Sequence, residues 1–292
     1  MSDGQGQGMR LAGAVTQGSG VVNEDGMGHI AGPEGLVAAW VLDGVTGIND
    51  RPAIAAGSEA AWLVARVHER LAALAAQDLD LAQILARLVD GLIADWTAAT
   101  RDLDIPAGHD PPAACLLLAK RHADGWKVLR LGDSCLLVRQ GTGDHLAMKA
   151  SPNTAFDQWL TREATKRRAA GQHDVKTLLA DFRPQIAAGR RKRNQPGGYS
   201  VVEADRAALR LAEVIDLGWP QAMLLCTDGF YRAVDHYGLY DDDDLVRACA
   251  EPDGVDKVLA QLRAAEAADP HCLAHPRFKP ADDATAVMLV SA

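Results

Sequence analysis

Apolar positions along the chain follow two different periods, which predict separate groups of helices and strands. In residues 53–77 and 79–103, leucine, valine and alanine recur at three- and four-residue intervals, as on one face of a helix. Two shorter helices are predicted at 244–250 and 255–268. Short apolar runs bounded by turn-forming residues instead predict strands. These runs lie within residues 10–43 and at 113–119, 126–131, 135–139, 145–150, 199–202, 209–217, 222–226 and 285–290.

Residues 152–198 interrupt this pattern. Helix-compatible segments alternate there with the basic clusters 166–168 and 190–193, and a Pro-Gly-Gly break at 196–198 closes the stretch. We therefore expect a single domain over residues 1–292 that carries a mobile, basic, helical insert at about 152–198.

The order of the elements favours an α+β protein. Strands come first, then two long helices, more strands, more helices and a closing strand. Helices covering the outer faces of stacked antiparallel sheets suit this order. A regular alternation of strand and helix, which a doubly wound parallel sheet requires, is not found in the pattern.

Charge, apolar content and cysteine content indicate which partners and which cellular location suit the chain. The formal net charge of −9 disfavours general nucleic-acid binding. No apolar run approaches the roughly 20 residues of a membrane helix, and the N-terminal MSDGQGQGMR lacks the apolar core of a signal peptide. The five scattered cysteines suit reduced thiols. We expect a cytoplasmic protein that binds neither nucleic acid nor membranes.

Acidic side chains recur where apolar runs begin or end. The chain has NEDG at 23–26, WVLDG at 40–44, CTDG at 226–229 and DDAT at 282–285. Each motif alone is an ordinary turn or cap. Gathered at one sheet edge, the carboxylates would repel one another, and hard divalent cations would offset that repulsion. Ligation by oxygen alone favours Mg²⁺ or Mn²⁺ over Zn²⁺.

One hairpin brings two of these motifs together. With Ala31 opposite Leu36 across the turn GPEG, Glu24 falls opposite Asp43, and Asp25 is diagonal to Asp43. Diagonal positions lie about 7–8 Å apart, a gap that one divalent cation can bridge. A bulge in either strand would shift this register by one residue.

The ordered motifs NED, DG, GDS, TDG and DDAT resemble the PPM, or PP2C-type, metal-dependent protein phosphatases, from about residue 10 to residue 290. The resemblance implies a four-layer α-β-β-α sandwich, in which two antiparallel sheets are flanked by helices. It also implies a dinuclear Mg²⁺ or Mn²⁺ centre.

The resemblance assigns roles near both metals to the first two motifs. Asp25 and Asp43 are expected ligands, with Asp43 as the bridge between the metals. The backbone carbonyl of Gly44 is expected to ligate one metal, and Glu24 to act through a metal-bound water.

The later motifs complete the predicted centre. Asp228 and Asp282 are expected on its other side, and Asp133 of GDS, together with Asp228, matches a position that holds a weaker third metal. The predicted catalytic set is Asp25, Asp43, Asp228 and Asp282.

The implied activity is hydrolysis of phosphoserine and phosphothreonine monoesters by a metal-activated water, with no covalent phospho-enzyme. The expected partners are a phosphorylated protein substrate and a cognate serine/threonine kinase.

Several positions depart from the family pattern. Gly20 stands where the family has a phosphate-binding arginine, Cys135 follows GDS where arginine is common, and Asp283 replaces an asparagine. The basic residues 190–193 could supply the missing positive charge. Two alternatives stay open: a catalytically weak PP2C-fold protein that binds phosphoproteins or a kinase, and a phosphatase of a small phosphorylated metabolite.

Overall fold

A computed structural model describes residues 8–54, 57–141, 145–148 and 154–292. Within these segments, eleven strands form two antiparallel sheets. Residues 1–7, on which the signal-peptide prediction partly rests, lie outside the described residues. The same holds for the last two residues of the strand predicted at 145–150 and for the first two of the predicted insert.

The first sheet contains the first and the last strand of the described chain. Its strands, in spatial order, are β1 (Met9–Gln17), β11 (Ala284–Ser291), β10 (Ala222–Cys226), β6 (Cys135–Arg139) and β7 (His145–Met148).

The second sheet is built from the early strands. In spatial order it has β2 (Asp25–Gly32), β3 (Gly35–Gly44), β4 (Ala113–His122), β5 (Gly125–Leu131) and β9 (Glu213–Gly218), and the short β8 (Val202–Glu203) pairs with β4.

Helices cover the outer faces of both sheets. On the second sheet they are α1 (Glu59–Leu74) and α2 (Leu81–Thr100), and on the first sheet α5 (Asp228–Asp235), α6 (Asp242–Ala250) and α7 (Gly254–Ala268). A further pair, α3 (Thr154–Ala169) and α4 (Val175–Arg190), packs together in a separate apolar cluster. None of the helices in the described segments combines the length and apolarity needed to cross a bilayer. All five cysteines are buried and free.

Apolar side chains fill three layers: one between the two sheets and one between each sheet and its helices. These layers explain why the strands are continuous apolar runs in the sequence. Trp40 and Leu42 of β3 pack with α1 and α2, while Ala39 and Val41 of the same strand face the other sheet. Successive strand residues point to opposite faces, so a strand buried on both sides needs apolar residues at every position. The arrangement confirms the predicted α-β-β-α sandwich of two antiparallel sheets flanked by helices.

Three parts of the chain differ from the prediction. The strand expected at 199–202 is reduced to the two residues of β8. The strand expected at 209–217 starts late, because Asp205 accepts a hydrogen bond from the Ala207 amide (2.7 Å) and caps a 3₁₀ helix, Arg206–Leu209. Helix α5 was not predicted at all. It begins directly at Asp228, so this residue opens a helix rather than ending a strand.

Helices α3 and α4 contain most of the basic clusters, and several of these charges have partners. Arg168 is buried, and its guanidinium donates to the carbonyls of Arg277 and Phe278. Arg167 pairs with Asp181 on α4. The prediction of one domain with a mobile insert stays a prediction.

We predict that Arg168→Met loosens this helical pair. The substitution leaves two carbonyls without their donor, at a cost of about 1–3 kcal/mol in the free energy of unfolding. Hydrogen exchange across α3 and α4 should accelerate. Arg167→Met, which removes an exposed ion pair, should change either quantity far less. Equal effects of the two substitutions would contradict the anchoring role of Arg168.

Candidate metal centre

A cavity of about 730 Å³ is lined by strands of the second sheet, by loops next to strands of the first sheet, and by residues of α3, α4 and α5. Every residue that the sequence assigned to the metal centre lines this single cavity. They are Glu24, Asp25, Asp43, Gly44, Asp133, Asp228 and Asp282. Gly20, at the position of the family's arginine, lines it as well.

The hairpin β2–β3 places Asp25 closer to Asp43 than expected. Ala31 does pair with Leu36, but a bulge between Ile30 and Ala31 shifts the register beyond it. Asp25 therefore lies directly opposite Asp43, and the predicted diagonal arrangement is wrong by one residue. Directly opposite residues have Cβ atoms roughly 4.5–5.5 Å apart, close enough for two carboxylates to share a cation.

The glycines of the two Asp-Gly motifs permit close backbone approach. The Gly44 amide donates to the Glu24 carbonyl (3.1 Å), and a Cβ at Gly44 would lie 2.4 Å from that oxygen. A Cβ at Gly229 would lie 1.9 Å from the carbonyl oxygen of Asp283. Each glycine thus lets a neighbouring acidic segment pass directly against the strand or helix that carries the aspartate.

A buried threonine connects the two sheets at the site. Thr227 immediately precedes α5, and its hydroxyl donates to Asp25 Oδ2 on the opposite sheet (2.9 Å). The Thr227 hydroxyl oxygen also accepts a hydrogen bond from the Thr285 amide (3.0 Å), so β11 helps to hold this hydroxyl in place. Both threonines are fully buried. They belong to the TDG and DDAT motifs, but no role was predicted for either threonine.

Burial and mutual repulsion raise the pKa of four of the aspartates, Asp25, Asp43, Asp133 and Asp228. Burial, followed by the nearby Asp228 and Asp25 carboxylates, raises the pKa of Asp43 well above its usual range. Burial raises the pKa of Asp25 to about 8. Asp228 has solvent-accessible surface facing the cavity, but its carboxylate lies within a dense shell of protein atoms. This burial, together with the Asp133 and Asp282 carboxylates, raises its pKa to about 6.

Asp282 is the exception in this cluster. Burial acts to raise its pKa, but Arg232 and Lys279 outweigh that effect and lower it. Arg232 Nη2 lies 2.7 Å from Asp282 Oδ2, and Lys279 Nζ lies 3.1 Å from Oδ1. Neither cation was identified from the sequence, because neither belongs to one of the motifs.

Other polar side chains hold the remaining carboxylates. Glu24 accepts hydrogen bonds from the hydroxyls of Thr46 and Ser58. Asp133 accepts from the Cys115 thiol (3.1 Å). The carboxylate of Asp283 accepts the amides of Ser19 and Glu24, which fixes the loop before β2.

These contacts bear on whether the residues fit divalent cations. Across the described segments, no group of three or more His, Cys, Asp and Glu side chains has its ligand atoms in a geometry that would coordinate a metal ion. The donor chemistry nevertheless fits, because the cavity offers carboxylate and carbonyl oxygens, the ligands of hard cations. Their raised pKa values are the expected cost of gathering carboxylates without a compensating positive charge.

The chain belongs to the protein phosphatase 2C family. A family profile with that description matches residues 12–265, which is most of the chain. No curated protein matches the sequence.

Solved phosphatase structures share the fold. The Mycobacterium tuberculosis serine/threonine phosphatase PstP/Ppp superposes with a TM-score of 0.54 at 16% identity, covering 97% of this chain and 98% of that one. A PstP catalytic domain in complex with two manganese ions gives 0.53 at 17% identity, with 97% of each chain covered. PppA, a regulatory component of T6SS in Pseudomonas aeruginosa, gives 0.53 at 18% identity, with 98% of each covered.

We predict that Asp43→Asn stabilises the metal-free protein increasingly as the pH rises. The raised pKa values mean that the folded state binds more protons than the unfolded chain, so the cluster's contribution to stability falls between about pH 4 and pH 8. An amide at position 43 cannot ionise. The difference in Tm between variant and wild type, measured in EDTA, should therefore grow from pH 5 to pH 8.5.

The same variant should lose its response to metal. Mn²⁺ should raise the Tm of the wild type at pH 8 and leave that of Asp43→Asn nearly unchanged. Asp102→Asn, at an exposed carboxylate outside the cavity, is the matched control and should follow the wild type. A Tm difference that is independent of pH would refute this account of the cluster.

Proposed function

We propose that this protein is a metal-dependent phosphatase that hydrolyses phosphoserine and phosphothreonine in proteins. One observation carries the proposal: all seven residues assigned to the metal centre by family resemblance line one cavity in a chain that belongs to the protein phosphatase 2C family. A phosphorylated protein is the proposed substrate, and the kinase that makes it is the proposed partner. The five free, buried cysteines support a cytoplasmic location.

Two Mg²⁺ or Mn²⁺ ions, with a weaker third at Asp133 and Asp228, are the proposed cofactors. Such ions, when bound, supply Lewis acidity and activate water for attack on phosphorus. The two manganese ions of the PstP complex support this choice. Asp25, Asp43, Asp228, Asp282 and the Gly44 carbonyl would hold the first two ions.

The chain's own contacts would keep this ligand set in place. The Thr227 hydroxyl fixes one Asp25 oxygen and leaves the other for a cation. Arg232 holds Asp282 from the α5 side. Glu24 is positioned at the rim by Thr46 and Ser58, where it can orient a water by hydrogen bonding. The water-poor surroundings of Asp25 and Asp43 strengthen every charge interaction within the cavity.

A second candidate function has an observation in its favour. Asp282 already pairs with two protein cations, Arg232 and Lys279, which compete with a divalent ion for its oxygens. A chain whose own cations replace one metal would bind phosphoproteins or a kinase with little turnover. Hydrolysis of a small phosphorylated metabolite is the remaining alternative. Comparing the hydrolysis rates of a phosphopeptide and a small phosphate distinguishes it from protein phosphatase activity.

We predict metal-dependent turnover that depends on the carboxylate cluster. Hydrolysis of a phosphothreonine peptide and of a small aryl phosphate should require Mn²⁺ or Mg²⁺ and stop in EDTA. Asp43→Asn and Asp228→Asn should each lower kcat/KM by more than about 100-fold. Residues that only hydrogen-bond to a metal ligand typically cost about 10- to 100-fold in activity when they are mutated, and a ligand itself should cost more. Asp102→Asn should retain the wild-type rate.

The pattern of results separates the candidates. A strong preference for the peptide supports the protein phosphatase, and a preference for small phosphates supports the metabolite phosphatase. Phosphopeptide binding with no turnover in saturating Mn²⁺ would overturn the hydrolase in favour of the binding protein.

We also predict that Gly20→Arg improves substrate capture. Apart from its chain neighbours, no atom of the described residues lies within 4 Å of a Cβ built at Gly20, so a side chain has room at this point of the cavity wall. A guanidinium contact with the phosphate should lower KM by about 10-fold or more. Gly47→Arg is the control, because Gly47 has the same open surroundings but does not line the cavity. Equal changes in KM for the two variants would contradict the prediction.

A further inference from the structure

The carboxylate-rich cavity poses an electrostatic problem for the proposed substrate. A phosphate monoester carries up to two negative charges and would approach several carboxylates. The arginine that meets this need elsewhere in the family is replaced by Gly20. Of the described residues, the basic ones that line the cavity are Lys176, Arg190 and Lys279.

Arg190 is already committed to other partners. Its guanidinium donates to Asp110 Oδ2 and to the carbonyl of Thr46. Arg193 donates to the other oxygen of Asp110. The contacts of Arg190 attach the end of α4 to the segment that follows β3. They conflict with the hypothesis that the cluster 190–193 replaces the missing arginine.

Lys279 occupies a different position. Its Nζ lies 3.1 Å from Asp282 Oδ1 and 3.3 Å from the Thr46 hydroxyl oxygen. An ammonium group has three donors, and these two contacts account for two of them. The side chain is 34% exposed, so the ammonium can reach a ligand in the cavity.

Asp282 does not depend on Lys279 alone for a positive partner. Asp282 is paired on its other oxygen with Arg232, at 2.7 Å. Arg232 also lies near other carboxylates, of which Glu266, 3.9 Å away, is itself paired with Arg263 at 2.6 Å. Arg232 alone can thus neutralise Asp282, and Lys279 is not needed for that purpose.

We propose that Lys279 is the phosphate-capturing residue of this site, with the Thr46 hydroxyl as its neighbour. The inference rests on the proposed phosphatase function. A lysine interacts with phosphate as a point charge, whereas an arginine forms a planar, bidentate contact. Capture at this site therefore depends on charge more than on the orientation of the phosphate group.

The test compares Lys279→Met, Lys279→Arg and the control Lys176→Met in the full chain loaded with Mn²⁺. Inorganic phosphate is the probe, and its affinity is measured by calorimetry and as inhibition of phosphopeptide hydrolysis. Lys279→Met should weaken phosphate binding by about 10- to 100-fold, the range for a hydrogen bond to a charged group. Lys279→Arg should retain most of the affinity, and Lys176→Met, which removes an exposed charge from the first turn of α4, should weaken it far less than Lys279→Met does.

Mn²⁺ affinity provides the readout that separates phosphate capture from positioning of Asp282. Lys279→Met should bind Mn²⁺ at least as tightly as the wild type, because a competing cation is removed. Weaker Mn²⁺ binding, or unchanged phosphate affinity, would overturn the proposal. If the wild type shows no turnover, the proposed function fails, and the calorimetric phosphate affinity of the variants still decides the role of Lys279.

Discussion

The hydrogen bond from Thr227 to Asp25 joins the two sheets at the point where their charges meet. One partner precedes α5 on the first sheet, and the other begins β2 on the second. Because the Thr285 amide holds the same hydroxyl, β11 is connected to the bond as well. A sandwich whose layers slid past one another would separate these groups. The geometry of the acidic cavity therefore depends on how the two sheets are aligned.

This alignment imposes a charge penalty on the folded chain. Asp25, Asp43 and Asp228 are brought together in surroundings that disfavour ionisation, as their raised pKa values indicate. The fold compensates only in part, through Arg232 and Lys279 at Asp282. Carboxylates that are concentrated without full neutralisation are characteristic of sites where function takes precedence over stability.

Much of the fold could be predicted from the sequence, because apolar periodicity reports burial directly. Helices α1 and α2 and the strands of both sheets follow from it, and the order of the acidic motifs indicated one shared cavity. The bulge between Ile30 and Ala31 could not be predicted, since a one-residue shift leaves the composition of both strands unchanged. Helix α5 was missed because Thr-Asp-Gly is equally typical of a turn. Lys279 lies three residues before Asp282, and Arg232 lies four residues after Asp228 on α5, but a lone basic residue near an acidic motif does not by itself indicate that the two pair.

The anchoring of α3 has a mechanical consequence. Arg168 binds the carbonyls of Arg277 and Phe278, and the next residue along the chain is Lys279. Phe156 and Leu160 of the same helix, together with Phe278, line the apolar side of the cavity. Displacing α3 to admit a bulky substrate would therefore pull on the segment that carries the lysine. The apolar part of the wall and the part that carries the charge of Lys279 are thus connected, and a change in one is transmitted to the other.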